Sequence, residues 1–253
     1  MDTALRILLK SALRDRISLF WSVVLPVGLL IGLGIVFDSP EYRGRLLAGS
    51  AAMGVFFWAL FGIAFETLSH RNRGVYKLLR ATPFPTVAFV SSMTIARALI
   101  ALLSGAVVIA TGAVAFGVDV GWRESLLMLP VLLSGTLCFT CLGFLAANLA
   151  GNEAQVSMVC NLFSLPMLFV SEAFYSLDKA PHWLQGLSRV LPFSHFVDAL
   201  RLSLEGDASG IVLPLLVLSG FTALFLVLAV VTFRWDAGGG EGLRPIARGI
   251  DME

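Results

Sequence analysis

Cys138-Phe-Thr-Cys141 has the spacing of a metal or redox pair. It sits in the middle of an uncharged apolar run, with no second pair to complete four ligands, so neither chemistry is assigned to it. Cys160 also lies in an apolar run, and the three cysteines build no extracellular disulfide framework. His70, His182 and His195 are far apart in sequence and fall in predicted loops on different sides, which excludes a shared metal site. Ser50 and Ser134 lack a nucleophile-elbow context and a paired histidine. No G-x-x-x-x-G-K-[ST] phosphate loop occurs, so this chain does not itself hydrolyse ATP. No catalytic residue and no metal ligand is therefore expected. Glu66 and Arg97 lie near the ends of their apolar runs, where a charge costs little, and an ion pair between them is allowed but not forced.

The elements carrying these residues are apolar on a scale that water does not support. Of 253 residues 57% are hydrophobic and 14% charged, with a mean hydropathy of +0.87; soluble domains are about one quarter charged. A net charge of +1 gives no reason to invoke nucleic acid. A helix crosses about 30 Å of hydrocarbon with about 20 apolar residues. The uncharged stretch from Ser125, interrupted only by Glu153, would be roughly 70 Å long as one helix, so it turns back at Asn148-Leu-Ala-Gly-Asn-Glu153. The expectation is an all-α polytopic membrane protein with six transmembrane helices, at 17–37, 46–68, 96–118, 125–148, 154–172 and 211–233. The first apolar run is too long for a signal-peptide core and is read as retained. Twelve of the eighteen Lys/Arg fall on one side in this topology. That side is the cytoplasm, placing both termini and the 234–253 tail there and the chain in the inner (cytoplasmic) membrane as a multi-pass protein. The 148–153 turn contributes no Lys or Arg.

Residues 1–16 form a second kind of element. Leu5, Leu8, Leu9, Ala12 and Leu13 share one helical face, with Arg6, Lys10 and Arg14 beside it. Such a helix lies on the membrane; the alternative is a charged lead-in to the first span. The connection between the second and third spans reads Ser69-His-Arg-Asn-Arg-Gly-Val-Tyr-Lys-Leu-Leu-Arg-Ala-Thr-Pro-Phe-Pro85. Its basic residues are explained by retention in the cytoplasm alone, with Arg71 one exposed charge. Yet Val75, Leu78 and Leu79 share a face, Gly74 breaks the chain before them, and Thr82-Pro83 ends the helix. A short bounded cytoplasmic helix over 70–83 is a docking element.

Residues 71–83 resemble the segment of type-2 ABC transporter permeases in which a charged stretch and Gly precede a short helix ending in Thr-Pro. The resemblance implies a coupling helix pressed against an ATPase subunit, with Gly74, Leu79, Thr82 and Pro83 at matching positions and Arg71, Arg73 and Lys77 in the charged stretch. His70, Asn72 and Lys77 stand where that family commonly has acidic residues. The second resembling region, 174–205, follows Pro166, which is read as breaking the fifth span. Pro181 suits a first helical position and Pro192 stops that helix, giving two short amphipathic helices too short to span. The family implies half-inserted, re-entrant external helices here, with Pro166, Trp183, Leu184, Pro192 and Arg201 matching its pattern. Trp183, Leu184, Leu187 and Leu191 recur at about one helical turn, and insertion would make them an external gate; the alternative is an interfacial loop anchored by Trp183 and Phe193.

Among the aromatic residues of the second span, Phe56, Phe57 and Phe61 include candidates for a hydrophobic substrate path. Gly28/Gly32 and Ser50/Gly54 have the spacing that lets helices approach, for packing within the chain or a dimer seam. The resemblance implies the permease subunit of an exporter of a drug, antibiotic, lipid or lipid-linked glycan. It would work in the bilayer with an ATP-binding cassette subunit, which carries the ATP and magnesium, and with a second permease copy, identical or not. An ion-driven secondary transporter and a membrane-embedded lipid-modifying enzyme are the alternatives. The first normally places carboxylates or broken helices near the midplane and the second needs ionisable residues clustered at one depth, and these spans carry neither.

Overall fold

The computed structural model describes residues 16–37, 39–75, 86–117, 120–175 and 180–232. Residues 1–15 of the expected interfacial helix (1–16), together with Lys77, Leu79, Thr82, Pro83 and the 234–253 tail, lie outside the described residues, and Arg16 is the first residue of the first described helix. The described chain is all α, in the order α1 (Arg16–Val36), α2 (Pro40–Asn72), α3 (Thr86–Phe116), α4 (Trp122–Leu149), α5 (Glu153–Val170), α6 (His182–Val190), α7 (Pro192–Leu204) and α8 (Val212–Val231). Five of these are long and apolar enough to cross a membrane: α2, α3, α4, α5 and α8. α1 adds the shorter apolar stretch Val23–Val36.

α2 is the hub, packing against α1, α3, α4, α5 and α7, so its apolar residues are buried nearly all round. By contrast α5 and α8 leave most of their apolar faces exposed, as helices do whose solvent is lipid. The core is closed by aromatic rings from three helices. Phe56 lies 4.6 Å from Phe139 of α4 and 4.7 Å from Phe193 of α7, and Phe139 meets Phe196 at 5.6 Å. Such edge and tilted pairs contribute about 0.5–1.5 kcal/mol each beyond area burial.

Several expected boundaries are corrected. α2 runs through Arg43, Arg45 and Arg71, beyond the expected 46–68, and at 33 residues is about 50 Å long. α3 starts at Thr86 rather than near 96 and carries Arg97 inside it. Pro166 does not break α5, which continues to Val170; Pro26 and Pro130 are likewise accommodated inside α1 and α4. In a bundle of spans the backbone groups freed by proline are satisfied by neighbours and local adjustment. Pro192 both follows the end of α6 and opens α7 at its first turn, where its missing N–H costs nothing. Ser50 and Gly54 are buried, while nothing stands within contact of a Cβ built at Gly28 or Gly32.

Candidate functional site

At one end of the bundle, α2 terminates where Gly74 adopts a left-handed φ of 69° and donates its N–H to the Arg71 carbonyl. A Cβ is disfavoured there, so glycine is the residue that stops this helix. One turn back, Arg71 is buried rather than exposed, with 5% of its surface accessible. Its Nη1 donates to the Ala147 carbonyl at 3.1 Å and its Nη2 to the Ala150 carbonyl. These oxygens belong to the last turn and C-cap of α4, where helix carbonyls lack partners and the dipole is negative. A guanidinium from α2 thus caps α4.

The α4–α5 break lies where the sequence placed it. Asn152 caps α5 by accepting from the Gln155 N–H at 2.9 Å, and Gln155 Oε1 accepts from the Gly151 N–H at 2.7 Å, a reciprocal N-terminal cap. Buried Asn148 donates to the Ala229 carbonyl at 2.8 Å, joining the same break to the end of α8. Beside it, Arg97 Nε donates to Glu66 Oε2 at 2.7 Å, the side chains being 7% and 11% exposed. The Arg97 guanidinium also sits 5.1 Å from the Trp58 ring, a cation–π contact. A Cβ at Gly62 would lie 2.7 Å from Arg97 Nη1, so the absence of a side chain there makes room for the guanidinium.

At the opposite end, Tyr42 Oη donates to the Phe174 carbonyl at 2.9 Å, tying the start of α2 to the chain after α5. α7 is set into the bundle through buried Phe193, Phe196, Val197 and Leu200, whereas α6 lies outside it with Trp183, Leu187 and Val190 exposed. The polar side of α6 is fastened to α7: the Ser188 and Ser194 hydroxyls are 3.0 Å apart, and His195 Nε2 hydrogen-bonds the Arg189 carbonyl at 2.8 Å. Between them and the end of α5 opens a cleft of about 230 Å³, lined by residues including Glu172, Arg189, His195, Asp198 and Arg201. Burial pushes the Asp198 carboxyl above its usual range, with Arg201 opposing.

The sequence-predicted residues divide accordingly. Arg71, Arg73 and Gly74 stand together at the α2 end, Arg73 exposed. Pro166 is inside α5, Trp183, Leu184 and Leu187 are on α6, Pro192 opens α7, and Arg201 lines the cleft from α7. Leu184 and Leu191 are half-buried, so the exposed part of the expected stripe is Trp183 and Leu187, extended by Val190. Phe56 is fully buried in the aromatic core, whereas Phe57 and Phe61 stack at 5.5 Å and stay half-buried. Sequence reasoning missed Glu172 and Asp198, carboxylates that flank the apolar-faced helix α6 in the chain. Among the described residues no cluster of His, Cys, Asp and Glu is arranged to hold a metal.

The family model described as ABC-2 type transporter matches residues 3–204. Nodulation protein J of Sinorhizobium fredii (strain NBRC 101917 / NGR234) is 25% identical over 231 residues, 84% of each chain. The daunorubicin resistance ABC transporter permease protein DrrB1 of Streptomyces coeruleorubidus is 27% identical over 218 residues, 81% of this chain and 73% of that one. The probable multidrug ABC transporter permease YbhR of Escherichia coli (strain K12) is 24% identical over 164 residues, 65% of this chain and 43% of that protein.

Proposed function

This chain belongs to the ABC-2 type transporter family, and from that premise we propose that it forms the pathway through which a hydrophobic or amphipathic substrate is exported, driven by a separate ATP-binding cassette subunit. The observation that carries the reading is the Arg71 cap. The segment proposed to dock the ATPase, 70–83, begins on the last turn of α2, and there Arg71 holds the α4–α5 break. Asn148 extends the connection to α8. A push on residues 71–75 is thus delivered to three helices at once, and α5 leads from the break toward α6 and α7 at the other end.

No covalent chemistry is asked of this chain; ATP and magnesium belong to the partner. In this reading the 71–75 end faces the cytoplasm of the inner membrane, and two copies, identical or paired with a related permease, enclose the path. Of the three expected path residues, Phe57 and Phe61, half-buried on α2, have surface left to line it. The relatives named for multidrug transport and daunorubicin resistance support a hydrophobic or amphipathic cargo. Co-purification from membranes tests the proposal: an associated nucleotide-binding subunit is expected, and Gly74→Pro or Leu79→Asp is expected to abolish the association or transport while insertion persists. A chain that copurifies with no ATPase, or variants that transport normally in an intact complex, would overturn it.

A further inference from the structure

The cleft between the end of α5, α6 and α7 has a composition that packing does not explain. It carries two carboxylates, Glu172 and Asp198, and two guanidinium groups, Arg189 and Arg201, within about 230 Å³. These charges are paired only loosely. Among the described residues Arg201 forms long ion pairs of 4.0 Å with Asp198 and with Glu205, and neither Glu172 nor Arg189 forms one. Half-exposed charges held in long pairs contribute little to stability and stay available to a further partner. The polar atoms that do pair, Ser188 with Ser194 and His195 with the Arg189 carbonyl, fix the walls and leave the charged tips to the space between.

The surroundings are apolar on one side only. Trp183, Leu187 and Val190 are exposed on α6, and α5, which packs on α6, exposes Leu162, Leu165 and Phe169. A hydrocarbon-facing track therefore borders a charge-balanced polar cleft. A simple anion would meet two carboxylates there, and a simple cation two guanidinium groups; a molecule carrying both signs satisfies all four.

We propose that this cleft binds the zwitterionic headgroup of an amphiphile, its phosphate on Arg189 and Arg201, its ammonium on Glu172 and Asp198, and its chains along the exposed faces of α5 and α6. Guanidinium is the natural phosphate ligand, through charge-assisted hydrogen bonds that carboxylates reciprocate for ammonium. The proposal goes beyond the export reading, because binding is measured without an ATPase or transport.

The test is native mass spectrometry of the purified full chain in detergent, titrated with dioctanoyl-phosphatidylethanolamine, dioctanoyl-phosphatidylglycerol, octyl glucoside or chain-free glycerophosphoethanolamine. Saturable binding of the phosphatidylethanolamine is expected, weakened about tenfold by Arg189→Gln and by Asp198→Asn, since each removes a hydrogen-bonded charge. The chain-free headgroup should bind more weakly by at least about tenfold, having lost its apolar contact. Arg189 is exposed, so its substitution leaves folding intact; should Asp198→Asn misfold, Glu172→Gln takes its place with the same expected loss. Equal binding of phosphatidylglycerol or octyl glucoside, wild-type affinity in the variants, or chain-free binding as tight as that of the lipid would overturn the proposal.

Discussion

Arg71 shows how much a residue's role depends on partners that sequence does not display. As an exposed charge it would contribute under about 1 kcal/mol; as a buried donor to the Ala147 and Ala150 carbonyls at the end of α4 it makes two hydrogen bonds from a charged group, each worth about 1.5–3 kcal/mol. Arg71→Ala is therefore expected to lower the stability of the purified chain by about 3 kcal/mol in denaturant titrations, with Arg71→Lys recovering only part because it lacks the fork. A loss below about 0.5 kcal/mol would return Arg71 to the role of a surface anchor. Glu66 and Arg97 make the complementary case. Removing one partner strands a buried charge at a cost of about 3–5 kcal/mol, while exchanging both for neutral side chains of similar volume is nearly neutral. Glu66→Gln and Arg97→Met should each destabilise strongly and the double variant far less, a coupling that a double-mutant cycle reads directly; additive losses would show the pair to be independent. Gly74 and the Asn148–Glu153 turn were legible because glycine and asparagine declare helix ends by backbone chemistry alone. Arg71 was not, because its partners are main-chain oxygens some 80 residues away that no side-chain identity marks.

At the scale of elements, apolar run length located the five helices long and apolar enough to cross a membrane, and the shorter apolar stretch of α1, while missing where helices stop. α2 continues past its apolar run through Arg43, Arg45 and Arg71, since arginine is a good helix former, and α3 begins at Thr86, directly after the Pro83–Pro85 segment, with no proline inside it. Pro166 was misread for the converse reason: its cost in an isolated helix is offset once the span is packed among others. The two short helices of 174–205 were visible in the proline spacing, but their unequal depth was not, since it arises from Phe193 and Phe196 finding Phe56 and Phe139. Phe56→Ala should accordingly cost about 3–5 kcal/mol, as a large-to-small change in a closed core. α6 makes a different prediction. With Leu187 exposed on a helix whose polar side is fastened to α7, Leu187→Trp is expected to block export and Leu187→Gly to raise basal ATPase activity or leak, without changing insertion. An α6 that merely rests at the headgroups would tolerate both, and export assays at matched expression separate the two.

The whole molecule poses one question its packing answers only in relative terms, namely which end faces which side. Hydrogen bonds set the ends. Arg71 to the α4 terminus, Arg97 to Glu66 and Asn148 to Ala229 gather the last turn of α2, the α4–α5 break and the end of α8. Tyr42 to the Phe174 carbonyl marks the other. The α4–α5 turn, which has no basic residue of its own, is thereby joined to the Arg71 and Arg97 end, and the lack of Lys/Arg in it ceases to weigh against a shared side. Basic residues are retained in the cytoplasm, so this end is expected to be cytoplasmic and the cleft end external. Single cysteines replacing Asn72 and Asp207, both exposed, provide the measurement. Asn72 follows the Arg71 cap, and Asp207 holds the α7–α8 turn through the Ser209 and Gly210 N–H groups at the far end. In intact cells a membrane-impermeant thiol reagent should label residue 207 and spare residue 72, and in inverted vesicles the pattern should reverse. Labelling of both from one side is incompatible with α2 crossing the bilayer once between the two ends, and it would remove the docking role of 70–83 together with the external placing of the cleft.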